Sequence, residues 1–550
     1  MSIHGINRNR RRALKCIGAS VGLSLLASQN WLVRASENDM ATSSDADFQP
    51  NVEIKLTARK VDVPIFQKGR NTSCYKYVGE VIKGPADTLI DMPSYLGPTL
   101  RFRKGDKVKI YFTNDLPSEQ SNIHWHGLHV PEAADGHPKD QIGHGDIYVY
   151  EFEVINRAGT YFYHSHAHGA TATQVYKGLA GALIISDDDE EAVDLPRGEY
   201  DIPLLIQDRS FTKTNKLSYF GGVDGFFGNR ILVNGKPNAK LSVNRGQYRF
   251  RCINGSNSRI YKLGWSNKMP LVAIGVDGGL LAQPETRPYI MLAPGERIDL
   301  WVDFSHMKPG TELLLRSLAY AGFMPHQGMQ NNEHGGMGMS GKGMDIVDMP
   351  SKKPGHLMRQ SAAVDILKIK VGKNSAANQL TLPNKLSEIE ALGIQDADNG
   401  STPRVIRITQ AMDATMTPLF NDEPFPQDLV SVDPDEIINI NSAQYFSITH
   451  DHGGMGVQNM TMMSMAHPIH MHGSSFQIVK RSFKESGDHR NYATIKDGFI
   501  DAGWKDTVLV VEGEEVALLK RFDTYSGLSL YHCHNLEHED NGMMRNLLIR

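Results

Sequence analysis

The chain has 550 residues, 40% of them hydrophobic and 22% charged, with a formal net charge of −4. At roughly 100–200 residues per domain this length implies three or four domains, and the composition excludes bulk disorder. The slightly acidic balance offers no basic surface for nucleic acid.

Residues 1–35 stand apart. They carry Arg8, Arg10, Arg11, Arg12, Lys15 and Arg34 and no acid, with an apolar run over 16–27. That run is too short to span a bilayer and suits the h-region of an export signal. The stretch Asn9-Arg10-Arg11-Arg12-Ala13-Leu14-Lys15 resembles a twin-arginine signal; an Arg-rich ordinary secretory signal is the alternative. Either predicts a chain exported to the periplasm. Cleavage near Ala35 would take the formal charge from −4 to −10. No later apolar stretch is long enough for a membrane helix.

Strands follow in quick succession. Residues 108–112 alternate and stop at Thr113-Asn114-Asp115, a turn composition. Residues 148–154, 183–185, 247–253, 298–304, 405–408, 437–440, 476–479 and 516–522 read the same way, and long helical periodicity is scarce. Two stretches read as linkers, the acidic 187–198 and the Asn/Ser/Ala/Asp-rich 372–402. They predict an all-β chain of three domains, at 48–190, 199–372 and 403–550. Gly105-Asp106 and Gly295-Glu296-Arg297 each precede a strand of similar pattern, a weak internal echo. Four cysteines in so long a chain make no disulfide framework. Cys16 belongs to the signal; Cys74 and Cys252 read as buried free thiols, with a bridge between them as the alternative.

Four motifs place histidines two apart: His124-Trp125-His126, His164-Ser165-His166, His470-Met471-His472 and His532-Cys533-His534. On a strand, residues i and i+2 share a face, so each pair presents two imidazoles to one side. Neutral imidazole suits copper. One such pair is more often an ordinary surface or core feature. Four pairs, two in the first domain and two in the third, point to eight imidazoles converging on three copper ions.

The last motif continues to Met543. Strand alternation sets Cys533 on one face and His532 and His534 on the other. Cys533, His538 and Met543 supply a thiolate, an imidazole and a thioether, and His467 supplies a second imidazole. Two histidines and a cysteine with a weak axial methionine make a blue-copper site. Because Cys533 lies between two histidines of the other cluster, adjacent peptide bonds form a short covalent route for electrons.

These four motifs, in this order, resemble the multicopper oxidase family, which includes laccases, ferroxidases, bilirubin oxidases and bacterial copper efflux oxidases. The similarity spans the chain after the signal and includes Gly97-Pro98-Thr99-Leu100-Arg101, Gly178-Leu179-Ala180-Gly181 and Ala502-Gly503-Trp504-Lys505-Asp506-Thr507-Val508. The resemblance implies three cupredoxin-like Greek-key β-barrel domains and four coppers per chain. His467, Cys533, His538 and Met543 would hold the type 1 copper, and His124 and His470 the type 2 copper. His126, His164 and His534 would hold one type 3 copper, and His166, His472 and His532 the other. It also implies that Asp135 assists O2 reduction and that Glu539 donates protons, since reducing O2 to two waters consumes four protons. Asp540 is a weaker candidate for orienting a ligand.

The electron donor is set by what covers the type 1 site. One methionine-dense stretch, within an insert at 324–349, holds Met324, Met329, Met337, Met339, Met344 and Met349. Another holds Met455, Met460, Met462, Met463 and Met465 and runs into His467. Thioethers select Cu(I). Both stretches look like the methionine-rich segments of copper efflux oxidases, although in those enzymes the insert belongs to the third domain. Met412, Asp413, Met416 and Met465 are the candidate substrate-copper residues. The expected function is an exported monomeric oxidase coupling Cu(I) to O2 for copper tolerance. A laccase-like phenol oxidase or an Fe(II) oxidase is the alternative within the class, and a non-catalytic copper carrier the alternative outside it.

Overall fold

Alternating apolar residues build strands that pair into six main sheets, two in each third of the chain. The computed structural model describes residues 48–321, 357–377, 379–411, 417–450 and 465–550, together with the two-residue strands Ala41–Thr42 and Ile346–Val347. Segment 1–35, the methionines from Met324 to Met349 and from Met455 to Met463, and Met412, Asp413 and Met416 lie outside the described residues.

The sheets fall along the chain in three pairs, within 52–186, 201–375 and 404–549. In each pair one sheet repeats a three-strand unit. Val52–Val63 runs parallel to Lys107–Asp115, which pairs antiparallel with Ile147–Glu153. Asp201–Arg209, Gln247–Asn254 and Arg297–Asp303 repeat this, as do Arg404–Gln410, Ser442–His450 and Glu514–Phe522. Parallel neighbours need a crossover, so the chain must pass between sheets, and that passage closes each pair into a sandwich. Each has its own core: Ile54, Ile110 and Trp125 in the first, Phe250, Leu263 and Leu300 in the second, Ile448, Phe476 and Leu518 in the third.

The repeat corrects the internal echo. Gly105 opens the middle strand of its unit, whereas Gly295 precedes the third strand of the next, so the two segments are not equivalent. What they share is turn chemistry, both glycines having positive φ (91° and 85°).

The two linker stretches are more than tethers. Asp187 caps the short helix Asp188–Glu191, accepting from the Glu190 N–H at 2.7 Å. Glu190 is buried and paired with Arg249 and, at 3.3 Å, with Arg251 of the second sandwich. Asp299 completes this network, accepting from Thr160 of the first sandwich at 2.7 Å and from Arg249 at 2.5 Å. Further on, Leu386 joins the second core and Leu392 packs with Leu519 of the third. Among the described residues no helix is long and apolar enough to cross a membrane.

Cys74 and Cys252 are free and buried. Burial pushes the Cys74 thiol up to about 12 and raises that of Cys252 as well. Neither should react with a thiol reagent at neutral pH until the chain unfolds; a stoichiometric count in the native protein would contradict this packing.

Candidate metal centre

The histidine pairs lie at strand ends rather than within strands. His164 ends Gly159–His164, His470 and Met471 end His467–Met471, and Cys533 ends Gly527–Cys533. His124 has only a bridge to His164. The i, i+2 alternation persists in the extended backbone beyond each end, where the chain leaves the sheet and imidazoles from different strands can meet. Third-sandwich pairing sets His470 opposite His532.

All eight imidazoles are buried. Their nitrogens form three groups, each within 4.8 Å: His124, His126 and His470; His126, His164 and His534; His166, His472 and His532. Nitrogens face one another at 3.4 Å (His124 and His470), 3.4 Å (His126 and His164), 3.4 Å (His166 and His532) and 3.2 Å (His472 and His532). Such spacing is the edge expected when neighbouring imidazoles bind one cation at about 2.0–2.1 Å.

The outward nitrogens fix the tautomers. His124 Nδ1 donates to the Asp135 carbonyl at 2.7 Å, His164 Nδ1 to the Ser165 carbonyl at 2.9 Å and His470 Nδ1 to the Asp506 carbonyl at 2.9 Å. Each then turns a lone pair on Nε2 inward. His126 is reversed: its Nε2 meets Asp506 Oδ1 at 3.0 Å and its Nδ1 faces the cluster. Neither ring nitrogen of His534 makes a hydrogen bond. A buried ring with no partner costs free energy unless something binds it. Burial lowers His126, His164, His166, His472 and His534 well below the usual histidine range and takes His470 down to about 4. These six rings are therefore neutral, as metal ligands must be.

Three carboxylates border the cluster. Asp135 Oδ2 accepts from His472 Nδ1 at 2.7 Å, and its Oδ1 lies 3.3 Å from His124 Nδ1. Burial opposes the Asp135 charge, but contributions led by the hydrogen bond with His124 together outweigh it and hold the group below its usual value. Glu539 lies 3.4 Å from His166 Nδ1 and 3.2 Å from His532 Nδ1, and so spans two members of one trio. Asp540 instead caps the helix Thr171–Lys177 that follows the second pair, accepting from the Thr171 and Ala172 N–H groups at 2.9 Å each.

The third carboxylate, Asp506, was not legible as a site residue. It receives both Arg297 nitrogens, at 2.7 and 2.5 Å, while it touches His126. Arg297 belongs to the second sandwich and Asp506 to the third, and both are fully buried. Asp506 lies inside the 502–508 run that carries the family resemblance, and Arg297 inside the misread echo, but spacing gave no sign that they meet. Two glycines make room here. A Cβ at Gly127 would sit 2.5 Å from Asp506 Oδ2, and one at Gly295 would sit 2.9 Å from His534.

The second centre is built around Cys533. Its Sγ lies 3.5 Å from His467 Nδ1 and 3.6 Å from His538 Nδ1, all three buried. Met543 is buried in the same core cluster as Cys533, and its carbonyl accepts from the Cys533 N–H at 3.0 Å. His538 donates from Nε2 to the Val223 carbonyl at 2.9 Å. Burial takes His538 down to about 4 and raises the Cys533 thiol. Metal entry must therefore displace a proton from sulfur. One thiolate and two imidazoles fit copper. Met465, two residues before His467, is buried, its Cε 3.6 Å from a Cβ placed on Gly225.

Comparison with known proteins agrees with this geometry. Two family models, both described as multicopper oxidase, match residues 86–190 and 401–550. A laccase from Bacillus stratosphericus is 30% identical over 502 residues, covering 82% of this chain and 88% of its own. The multicopper oxidase mco of Staphylococcus aureus is 30% identical over 455 residues, covering 82% and 81%. The crystal structure of the McoA multicopper oxidase of Aquifex aeolicus superposes with a TM-score of 0.70 at 32% identity, over 92% of this chain and 97% of that one. The chain belongs to the multicopper oxidase family, an oxidoreductase built of cupredoxin-like β domains with copper as its cofactor.

Proposed function

We propose that the chain holds four coppers and couples one-electron oxidation of Cu(I) to the four-electron reduction of O2 to water. His467, Cys533, His538 and Met543 would hold the type 1 ion, and His124 and His470 the type 2 ion. His126, His164 and His534, and His166, His472 and His532, would hold the type 3 pair. The single observation that carries this reading is the position of Cys533. Its sulfur joins one buried donor set while its two chain neighbours belong to the other. Bound copper supplies one-electron acceptance at the thiolate and O2 reduction among the imidazoles.

The protein's own part is orientation and proton supply. Backbone carbonyls hold His124, His164 and His470 in the tautomer that leaves Nε2 free. Asp135 and Glu539 each sit against two ligand histidines and are the groups near enough to hand protons to the cluster. Asp135→Asn should slow O2 reduction on the order of a hundredfold while copper content stays near native. Glu539→Gln should act in the same direction. Steady-state O2 uptake beside metal analysis checks both, and native turnover in either variant removes that residue from the reading.

Cu(I) is the donor favoured by the sequence, from its two methionine-dense stretches and from Met465 two residues before His467. The laccase relative supports phenol oxidation as the second reading, and Fe(II) is a third donor of the same kind. Export to the periplasm is part of the same proposal, since copper tolerance is served outside the cytoplasm. O2 uptake would be followed with Cu(I), a phenol and Fe(II), in the native protein and in a variant lacking 324–349. Cu(I)-driven uptake that falls in the deletion, while phenol activity persists or rises, supports a cuprous oxidase. Unchanged Cu(I) turnover with phenol as the better donor favours the laccase reading.

A further inference from the structure

Water consumes four protons per O2 as it forms, and a buried cluster needs a path for them. One narrow recess, with a cavity volume of about 30 Å3, reaches the histidines from outside, lined among others by His129, Asp135, His472, Lys520, Asp523 and Tyr525. At its mouth the Asp523 side chain is 51% exposed and lies 4.0 Å from His129 Nδ1. At its base Asp135 is bonded to His472.

Lys520 is out of place on this wall. It lies on the strand Glu514–Phe522 and is 1% exposed, with core residues Leu518 and Phe522 two positions to either side. Its Nζ donates to the Ser474 carbonyl and lies 5.4 Å from the Phe522 ring centroid. No carboxylate forms an ion pair with it among the described residues. A buried ammonium held by one carbonyl is costly, and an apolar residue at this strand position would avoid that cost. The other titratable groups that face the recess are His129, Glu132, Asp135, His472, Asp523 and Tyr525, and Asp506 is near enough to act on Lys520. Burial brings Lys520 down to about 7, against the opposing pull of Asp506, Asp135 and Asp523.

We propose that Lys520 is the proton-carrying residue of this recess, acting through Asp135 and recharged from solvent past Asp523 and His129. It is a positioning residue for the proton, because it touches no reacting atom. In each passage an N–H bond of the ammonium breaks and an O–H bond forms on water or on the Asp135 carboxylate. The amine then takes a proton from hydronium or a buffer acid at the mouth, leaving water or the buffer base in the solvent, and no electrons move. The inference rests on the reading of Asp135 given above.

The test compares Lys520→Met and Lys520→Arg in the copper-loaded protein, with turnover followed from pH 5 to 9 using a donor that does not titrate there. Native turnover should fall as pH rises through about 7, because the amine then lacks the proton it gives. Both variants should be slower at pH 6, on the order of tenfold, and should lose that limb. Methionine carries no proton and arginine does not release one. Arginine at the native rate would mean that charge alone suffices and would overturn the relay; so would methionine at the native rate. A second readout needs no copper. The folded-state value of Lys520 lies below its unfolded one, so burying its charge destabilises the fold at and below pH 7 and this cost fades as pH rises toward 10. The melting-temperature advantage of the copper-free Lys520→Met variant should therefore shrink from pH 7 to 10. A gap that does not change with pH overturns the proposal. Native turnover in Asp135→Asn would sink the earlier reading and this one with it, whereas failure of the Lys520 variants alone leaves Asp135 in place.

Discussion

Cys533→Ser should abolish donor oxidation, lowering it at least about a hundredfold, and should remove the blue chromophore while the histidine cluster keeps its copper. The reasoning is local. Sulfur is the soft ligand of its set, 3.5 and 3.6 Å from the two imidazoles, and a hydroxyl is a hard, weak substitute. Cys533 is also the residue that links the two donor sets along the chain. Ser is smaller and its side chain is buried, so the cost to stability should be modest beside the loss of function. The check is the visible spectrum together with copper content and donor oxidation on the same sample. A Ser variant that stays blue and active would mean that Cys533 is a packing residue.

Arg297→Met should be the most destabilising single change near the cluster, at about 3–5 kcal/mol. It strips both bonds from Asp506, a carboxylate with no exposure whose charge Arg297 holds in place against burial. Asp506 in turn touches His126 through its carboxylate and His470 through its carbonyl. The lost charge pair should therefore also loosen copper binding. Thermal unfolding and copper retention measure the two effects. Removing both partners, as Arg297→Met with Asp506→Leu, should regain part of the stability, because no buried charge is left alone. Copper retention should stay poor in that double variant, since Asp506→Leu takes away the partner of His126. Equal unfolding temperatures in the native protein and the single variant would show that the pair is structurally idle.

Much of this site was legible because short extended segments carry their geometry in the sequence. The four histidine pairs needed only the strand period, and the Cys533 set needed only the chemistry of its donors. Strands do form at 247–253 and 516–522, but both of their faces are largely buried, with Arg249 and Arg251 on the face that the alternation assigns to solvent. Long-range partners were not legible. Arg297 and Asp506 are 209 positions apart, and no local pattern brings a second-sandwich arginine to a third-sandwich aspartate. The acidic stretch 187–198 reads as a solvated linker because its first five residues are all acids, yet Glu190 turns inward to two arginines. Lys520 was hidden for the opposite reason: a lysine in a strand is expected to face water, and burial is a property of the sandwich, not of the segment. The echo between Gly105 and Gly295 misled because positive-φ turn glycines precede many strands without marking equivalent ones.

The central claim is that two buried donor sets act together to reduce O2 fully. The most direct measurement counts one-electron donor equivalents consumed per O2 in the copper-loaded protein. Four equivalents per O2, with no hydrogen peroxide released, is the expected result for a thiolate site feeding an intact histidine cluster. Two equivalents per O2, with hydrogen peroxide as product, would contradict it and show that the eight imidazoles do not work as one centre.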